Sequence, residues 1–447
     1  MILSRLIPAL GLALAIGAAP AGPSLRVEPQ TGLADAPLGV RAAGLVPGST
    51  AEVVATARSG DALWMSVATC RADGGGQIVL ATCDSSAGTY TGIDPGGLVW
   101  SMLPQPPGKK PFALAAGKPI DYTIELRVAG SVVATAHALR ARVLAGVALR
   151  PIVAPFRGTL ALPPSAGKHP AVILLGGSEG GDAMTDVAQL LASHGYVAAT
   201  VAYFGLPGLP QQLVDIPVED VGTALTWLSQ RSDVDANRIG VFGISKGGEF
   251  ALLAASTYPR IRAAVSVVGV PFAMYGVNPN GPAPNAGSWS RNGVELPFVP
   301  PDAAAGARLH ELIVAGGKVS LGILADASIE KNPVAVQRAF FPLERIAGPI
   351  LCIGAGDDHL KNSARDCDIA FAYLSQHKHA FSDRKLNFPS AGHDVLTFYL
   401  PTLGYDEFTL SRFTEIDGGS AESDGRANEI AWPAILRFLE TALATKA

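Results

Sequence analysis

From residue 158 onward, unbroken apolar runs alternate with amphipathic stretches, and few architectures satisfy that pattern. "AVILLGG" (171–177) is apolar at every position before its glycines, which marks a strand buried on both faces rather than one face turned to water. "YVAATVAYFG", "RIGVFGIS", "IRAAVSVVGV" and "GPILCIGAG" (348–356) repeat it. Between them, "MTDVAQLLASHG" (184–195), "VEDVGTALTWLSQR" and "KGGEFALLAAST" carry apolar residues at helical spacing. Buried strands joined by helices of roughly 10–14 residues require a mostly parallel sheet with helices on both faces.

The preceding residues, 24 to about 145, have another texture. "LGVRAAGL", "STAEVVATAR", "DYTIELRVAG" and "SVVATAHALRARVL" are Val- and Thr-rich runs separated by Gly, Pro and Asp clusters. About seven such runs predict an antiparallel sandwich. A β-sandwich over 24–145 and a catalytic α/β domain over 150–447 are expected, with the boundary within 143–158. Inside the second domain, "GVNPNGPAPNAGSWSRNGVELPFVPPD" (276–302) is rich in Pro, Gly and Asn. A long irregular excursion there reads as a cap over the site, covering about 275–335; disorder is the plainer alternative.

"MILSRLIPALGLALAIGAAPAG" has one positive charge, Arg5, then an apolar run from Leu6 to Ala19 and an Ala19-Pro20-Ala21 cleavage pattern. It reads as a secretory signal peptide over 1–21, since about 14 apolar residues are short for a membrane anchor. An exported chain, periplasmic or secreted, is expected. Its four cysteines, Cys70, Cys83, Cys352 and Cys367, then permit two disulfides, and local pairing keeps each bond inside one domain. Four buried thiols are the alternative. A net charge of −4 with no basic run gives no field for gathering nucleic acid. No His, Asp or Glu cluster has metal-ligand spacing, and no cofactor motif is found.

"GISKGGE" (243–249) holds a Gly-x-Ser-x-Gly pattern, which 50 glycines make easy to meet by chance. Its setting is more specific: a buried strand runs into Ser245 and a helix leaves it, as a nucleophile elbow demands. Gly243 and Gly247 would then allow the close approach that the tight turn requires. A serine nucleophile needs a base and an orienter, which in such a fold follow in the order acid, then histidine. "ILCIGAGDD" ends in Asp357 and Asp358, and Gly-x-x-Asp spacing favours Asp357. "KLNFPSAGHDV" delivers His393 after the last strand; His194, His359, His377 and His379 lie elsewhere in the pattern. The oxyanion hole would use the backbone N–H of Lys246 and one from "GGSEGG" (176–181), at Gly177 or Ser178. A dinucleotide-binding loop fails there on spacing. Lys246 and Glu249 invite roles in phosphate binding or acid–base work, but their side chains are expected to serve the helix.

Together these stretches resemble the acyl-CoA thioesterase and bile acid-CoA:amino acid N-acyltransferase family. "VFGISKGGE", "GTYTGIDPGGLVWSMLP" (88–104), "RGTLALPP", "GYVAATVAYFGLPGLP", "FFPLERIAGPILCIGAGDD" and "FPSAGHDV" recur there in the same order. The resemblance implies an α/β hydrolase preceded by an immunoglobulin-like domain, a triad at Ser245, Asp357 and His393, no cofactor, and acyl-CoA as substrate class. It further implies hydrolysis, because the acyltransferase branch carries Cys where this chain has Ser245. The acid loop "GAGDDHLKNS" departs from the commonest thioesterase form after Asp357.

Three functions follow in order: a serine hydrolase of acyl thioesters, a secreted carboxylesterase of dienelactone-hydrolase type, and an inactive binding protein. An intact Ser, Asp, His and glycine loop argues against the last.

Overall fold

The computed structural model describes residues 22–108, 112–113, 118–279, 281–404, 407–410 and 412–444. The expected signal peptide, with its cleavage site, lies outside them.

Eight strands of the catalytic domain form one sheet. They are β1 (Ala148–Ile152), β2 (Gly158–Leu162), β3 (His169–Leu175), β4 (Val197–Thr200), β5 (Val234–Ile244), β6 (Ile261–Val267), β7 (Ile350–Ala355) and β8 (Arg384–Phe388). Their order is β1-β2-β4-β3-β5-β6-β7-β8. β1, β2 and β4 pair antiparallel; every pairing from β4 through β8 is parallel. The antiparallel edge is invisible to a reading of buried runs, because β1 and β2 are short and partly exposed.

Helices α1 (Thr185–Ser193), α2 (Glu219–Ser229), α3 (Lys246–Thr257), α4 (Ala303–Ala315), α5 (Gly322–Lys331), α6 (Pro333–Ala339), α7 (Ser363–Gln376) and α8 (Ala421–Ala442) complete the domain. Alternate residues of each strand enter different cores, as the two-residue period of a strand requires. Ala171, Ile173 and Leu175 of β3 pack with α2, α3 and α7. Val172 and Leu174 pack with α1 and α8. The sheet is therefore covered on both faces. The chain leaves β6 on an excursion that returns at β7. Its first part is irregular, with short pairings of Ile216–Pro217 against Trp289–Arg291 and of the latter against Val294–Glu295. α4 follows, capped by the Asp302 carboxylate, which accepts the Ala305 amide at 2.8 Å.

Before β1, a three-stranded and a six-stranded sheet face one another across a shared core that includes Val40, Ile78, Val53, Trp64 and Ile124. Its pairings are antiparallel except for Thr31–Leu33 beside Leu139–Ala141. Cys70 pairs with Cys83, and Cys352 pairs with Cys367. The first bond ties the strand Ala62–Arg71 to a turn at Leu80–Thr82 rather than to a neighbouring strand. The second ties β7 to α7.

Candidate active site

Ser245 stands between β5 and α3 with φ 57° and ψ −120°, a left-handed backbone that a non-glycine residue adopts only under constraint. The constraint is visible. The Ser245 amide donates to the Val267 carbonyl at 2.8 Å, and its carbonyl accepts the Glu249 amide at 3.1 Å. The flanking glycines are obligatory for space: a Cβ on Gly243 would fall 1.9 Å from the Gly247 oxygen, and one on Gly247 2.0 Å from the Leu175 oxygen. The turn puts Ser245 at the carboxyl edge of the sheet, at the amino end of α3, where the helix dipole favours negative charge.

The histidine and the acid arrive on the loops after β8 and β7. Asp358, and not the expected Asp357, holds His393. His393 Nδ1 lies 3.0 Å from both Asp358 oxygens, and the Asp358 side chain is fully buried. Asp357 faces the other way: its carboxylate accepts the Gly419 amide at 3.0 Å, lies 3.2 Å from His359 Nε2, and is 48% exposed. The cause is the loop. The Asp357 amide is pinned to the Ala391 carbonyl, which leaves the next residue to turn inward. Burial raises the Asp358 pKa, but the charge and hydrogen bond of His393, then Lys361 and the Ser363 hydroxyl, outweigh it and hold the carboxyl below its ordinary value.

The histidines set aside from the sequence have structural partners. His194 bonds Asp35, His379 bonds Asp383, and His377 stacks on Tyr373 at 4.0 Å.

The glycine loop after β3 packs against the serine; a Cβ on Gly177 would lie 3.1 Å from Ser245 Cβ. The Gly177 amide is engaged, donating to the Glu179 carboxylate at 2.9 Å. The Ser178 amide carries no such bond among the described residues. Lys246 is the first residue of α3, where a backbone N–H has no partner within the helix. Of the amides expected to receive an oxyanion, those of Lys246 and Ser178 carry no hydrogen bond among the described residues.

The Lys246 and Glu249 side chains reach beyond their own helix. Lys246 Nζ contacts Glu249 at 3.0 Å and donates to the Tyr275 carbonyl at 3.0 Å and the Ser288 hydroxyl at 2.8 Å. Glu249 accepts the Met274 amide at 2.9 Å and the Trp289 indole N–H at 2.6 Å. This buried pair fastens the excursion after β6 onto the elbow helix. Trp289 of that excursion is stacked on Phe250 of α3 at 4.2 Å. Burial lowers the Lys246 pKa, against the pull of Glu249. Both groups are committed to this contact and unavailable to a substrate phosphate.

Three further groups at the site carry no obvious motif. Asp417, whose backbone carbonyl accepts the His393 amide at 2.9 Å, is pushed up to about 9 by burial and by the neighbouring Asp394, Glu415 and Asp358 carboxylates. Glu179 caps the glycine loop. Lys361 Nζ donates to Ser245 Oγ at 3.3 Å. Glu179 lies in the glycine loop "GGSEGG" and Lys361 in the acid loop where the residues depart from the common form, whereas Asp417 lies in neither. No His, Cys, Asp and Glu group among the described residues is arranged to hold a metal.

A serine on a strained turn after β5 and a carboxylate-held histidine after β8, on a sheet of this order, define the α/β-hydrolase class. Within it, the chain belongs to the acyl-CoA thioester hydrolase/BAAT family. Residues 216–445 match "BAAT / Acyl-CoA thioester hydrolase C terminal", and residues 35–153 match "Acyl-CoA thioester hydrolase/BAAT N-terminal region". The chain is 28% identical to acyl-coenzyme A thioesterase 2, mitochondrial, of Rattus norvegicus, covering 92% of this chain and 87% of that one. It is likewise 28% identical to the peroxisomal succinyl-coenzyme A thioesterase of Mus musculus, covering 93% and 96%. Among solved structures, the Pyrococcus horikoshii acylaminoacyl peptidase aligns at 12% identity with a TM-score of 0.40, covering 88% of this chain and 71% of that one.

Proposed function

We propose that this protein hydrolyses acyl thioesters through an acyl-serine intermediate, with Ser245 as nucleophile, His393 as general base and Asp358 as its orienter. The observation that carries the reading is the Asp358 grip on His393 Nδ1 at 3.0 Å. It leaves Nε2 as the nitrogen free to take a proton. Ser245 Oγ attacks the carbonyl carbon while its proton passes to His393. The Lys246 and Ser178 amides receive the oxyanion. Collapse expels the thiolate, which leaves more readily than an alkoxide because a thiol is far more acidic than an alcohol. The departing sulfur takes the proton from His393, which, neutral again, deprotonates the water that attacks the acyl-serine. On the second collapse Ser245 Oγ takes that proton back and the free acid departs. Acyl thioesters as the substrate class rest on the thioesterase relatives.

An acyl-serine ester is a poorer donor to amines than an acyl-cysteine thioester. Free acid is therefore the expected product even with glycine or taurine in excess.

We further propose export to an oxidising compartment. The apolar leader and four cysteines placed in two bonded pairs support it. Among the described residues no helix is long and apolar enough to cross a membrane.

The test is turnover of acyl-CoA and nitrophenyl ester substrates by wild type and Ser245→Ala, with products identified by mass spectrometry. Loss of one triad member should lower the rate on the order of 10⁴–10⁶-fold with folding intact. Activity within tenfold of wild type would remove Ser245 from the mechanism, and mostly amide product would make the protein an acyltransferase.

A further inference from the structure

The loop between β7 and α7 carries more than the acid. One Asp358 oxygen accepts the amides of Leu360 and Lys361 at 3.0 and 3.2 Å, and the other accepts the Ser363 hydroxyl at 2.6 Å. These bonds wrap the turn 358–363 around the carboxylate. The Cys352–Cys367 bond, with Cα atoms 5.8 Å apart, ties the strand and helix on either side. The turn that holds the acid therefore also fixes the backbone of Lys361.

The Lys361 side chain crosses from that turn to the serine, and Nζ donates to Ser245 Oγ at 3.3 Å. An ammonium has three hydrogens to place and no acceptor of its own. The other nearby ammonium, Lys246, is neutralised by Glu249. Lys361 Nζ has no carboxylate within 4 Å among the described residues, although the Asp358 and Asp366 carboxylates act on its charge from farther away. A half-buried cation aimed at a neutral hydroxyl gains little at rest. It gains much once negative charge forms there, in a site that water partly leaves. Acyl transfer forms that charge on the carbonyl oxygen, beside Oγ. The loop that should supply a second backbone donor has one amide, Gly177, already spent on Glu179.

We propose that Lys361 is a further catalytic residue, whose ammonium touches the nucleophile and stabilises the negative charge that develops in both tetrahedral intermediates. The inference rests on Ser245 being the nucleophile. In acylation, the Oγ–C bond forms, the Oγ proton passes to His393, and the carbonyl π pair becomes the oxyanion. On collapse the C–S bond breaks, and the thiolate takes the electron pair and then the proton held by His393. In deacylation His393 takes a proton from water, the water oxygen bonds the carbonyl carbon, and on collapse the C–Oγ bond breaks and Oγ takes the proton from His393. Lys361 keeps its protons throughout and acts by charge alone.

The experiment compares wild type, Lys361→Met and Lys361→Arg on butyryl-CoA and nitrophenyl butyrate. It also measures inhibition by butaneboronic acid, which bonds a serine oxygen to give a tetrahedral anion. A charged hydrogen bond made in the transition state implies that Lys361→Met lowers kcat about 10–100-fold, with KM within about threefold. Boronate affinity should fall in the same proportion while the thermal midpoint holds, and Lys361→Arg should recover most of both. Should the Met variant fold poorly, Lys361→Gln replaces it. The proposal is overturned if the neutral variant keeps kcat and boronate affinity within threefold, or if the Arg variant is as impaired as the neutral one. A Ser245→Ala arm separates the two readings. If calorimetry shows the boronate binding wild type and Ser245→Ala equally, or neither, the nucleophile assignment fails and the role of Lys361 with it.

Discussion

Asp357 and Asp358 are identical side chains one bond apart, yet the fold gives them opposite surroundings. One is half in water beside His359, and the other is sealed beneath His393 with four hydrogen-bond donors around it. Substitution should expose the difference. Asp358→Asn keeps the shape but no longer holds His393 as the correct tautomer, and kcat should fall on the order of 10⁴-fold. Asp357→Asn should stay within about threefold of wild type. Equal losses in both would place the acid function in the loop as a whole rather than in Asp358.

At the scale of the element, α3 does two jobs from one short sequence. Its amino end presents Ser245, and within its first turn Lys246 and Glu249 carry a buried pair that binds Met274, Tyr275, Ser288 and Trp289 of the excursion after β6. Removing one partner leaves the other charge buried and unpaired. Lys246→Met is accordingly expected to destabilise the protein by about 3–5 kcal/mol. Lys246→Met with Glu249→Leu should cost less than the single change, because no lone charge remains. Urea unfolding of wild type and the two variants measures this. A double variant less stable than Lys246→Met would show that the hydrogen bonds to the excursion, not the charges, dominate.

Across the whole molecule, the sandwich and the catalytic domain meet at polar joints. Asp35 of the sandwich accepts from Trp432 Nε1 at 2.8 Å and bonds His194 Nε2 at 2.6 Å. The one-turn helix Gly97–Trp100 lies against α8, where a Cβ on Gly425 would meet Trp100 at 2.4 Å. Asp94 is paired there with Arg426 at 3.2 Å. Glu429 is pushed up to about 8, first by burial and then by Asp94. A carboxyl raised above its unfolded value, about 4.3, favours folding fully below that value, and the contribution is lost as pH climbs towards 8. The thermal midpoint of wild type should therefore fall more steeply between pH 5 and about 8 than that of Glu429→Gln. Parallel curves would place the Glu429 proton outside the stability of this joint.

Much of this was legible in the chain because it is set locally. Continuous apolar runs specify strands covered on both faces. The glycines around Ser245 encode an elbow, since the close approaches at Gly243 and Gly247 tolerate no Cβ. His393 is placed by its position after the last strand. What the sequence left open depends on contacts between distant segments. Asp358 was chosen over Asp357 by the Asp357–Ala391 backbone bond, which joins loops 34 residues apart in the chain. The Gly177 amide, one of the expected oxyanion donors, bonds the Glu179 carboxylate, a partner set by where that side chain settles. Lys246 and Glu249 found partners on a segment whose path no periodicity reveals. Lys361 became a neighbour of Ser245, 116 residues away, only because the acid loop folds around its own carboxylate. Local sterics and hydrophobic pattern are written along the chain, whereas side-chain direction at a loop is decided by the backbone bonds that tertiary packing brings within reach.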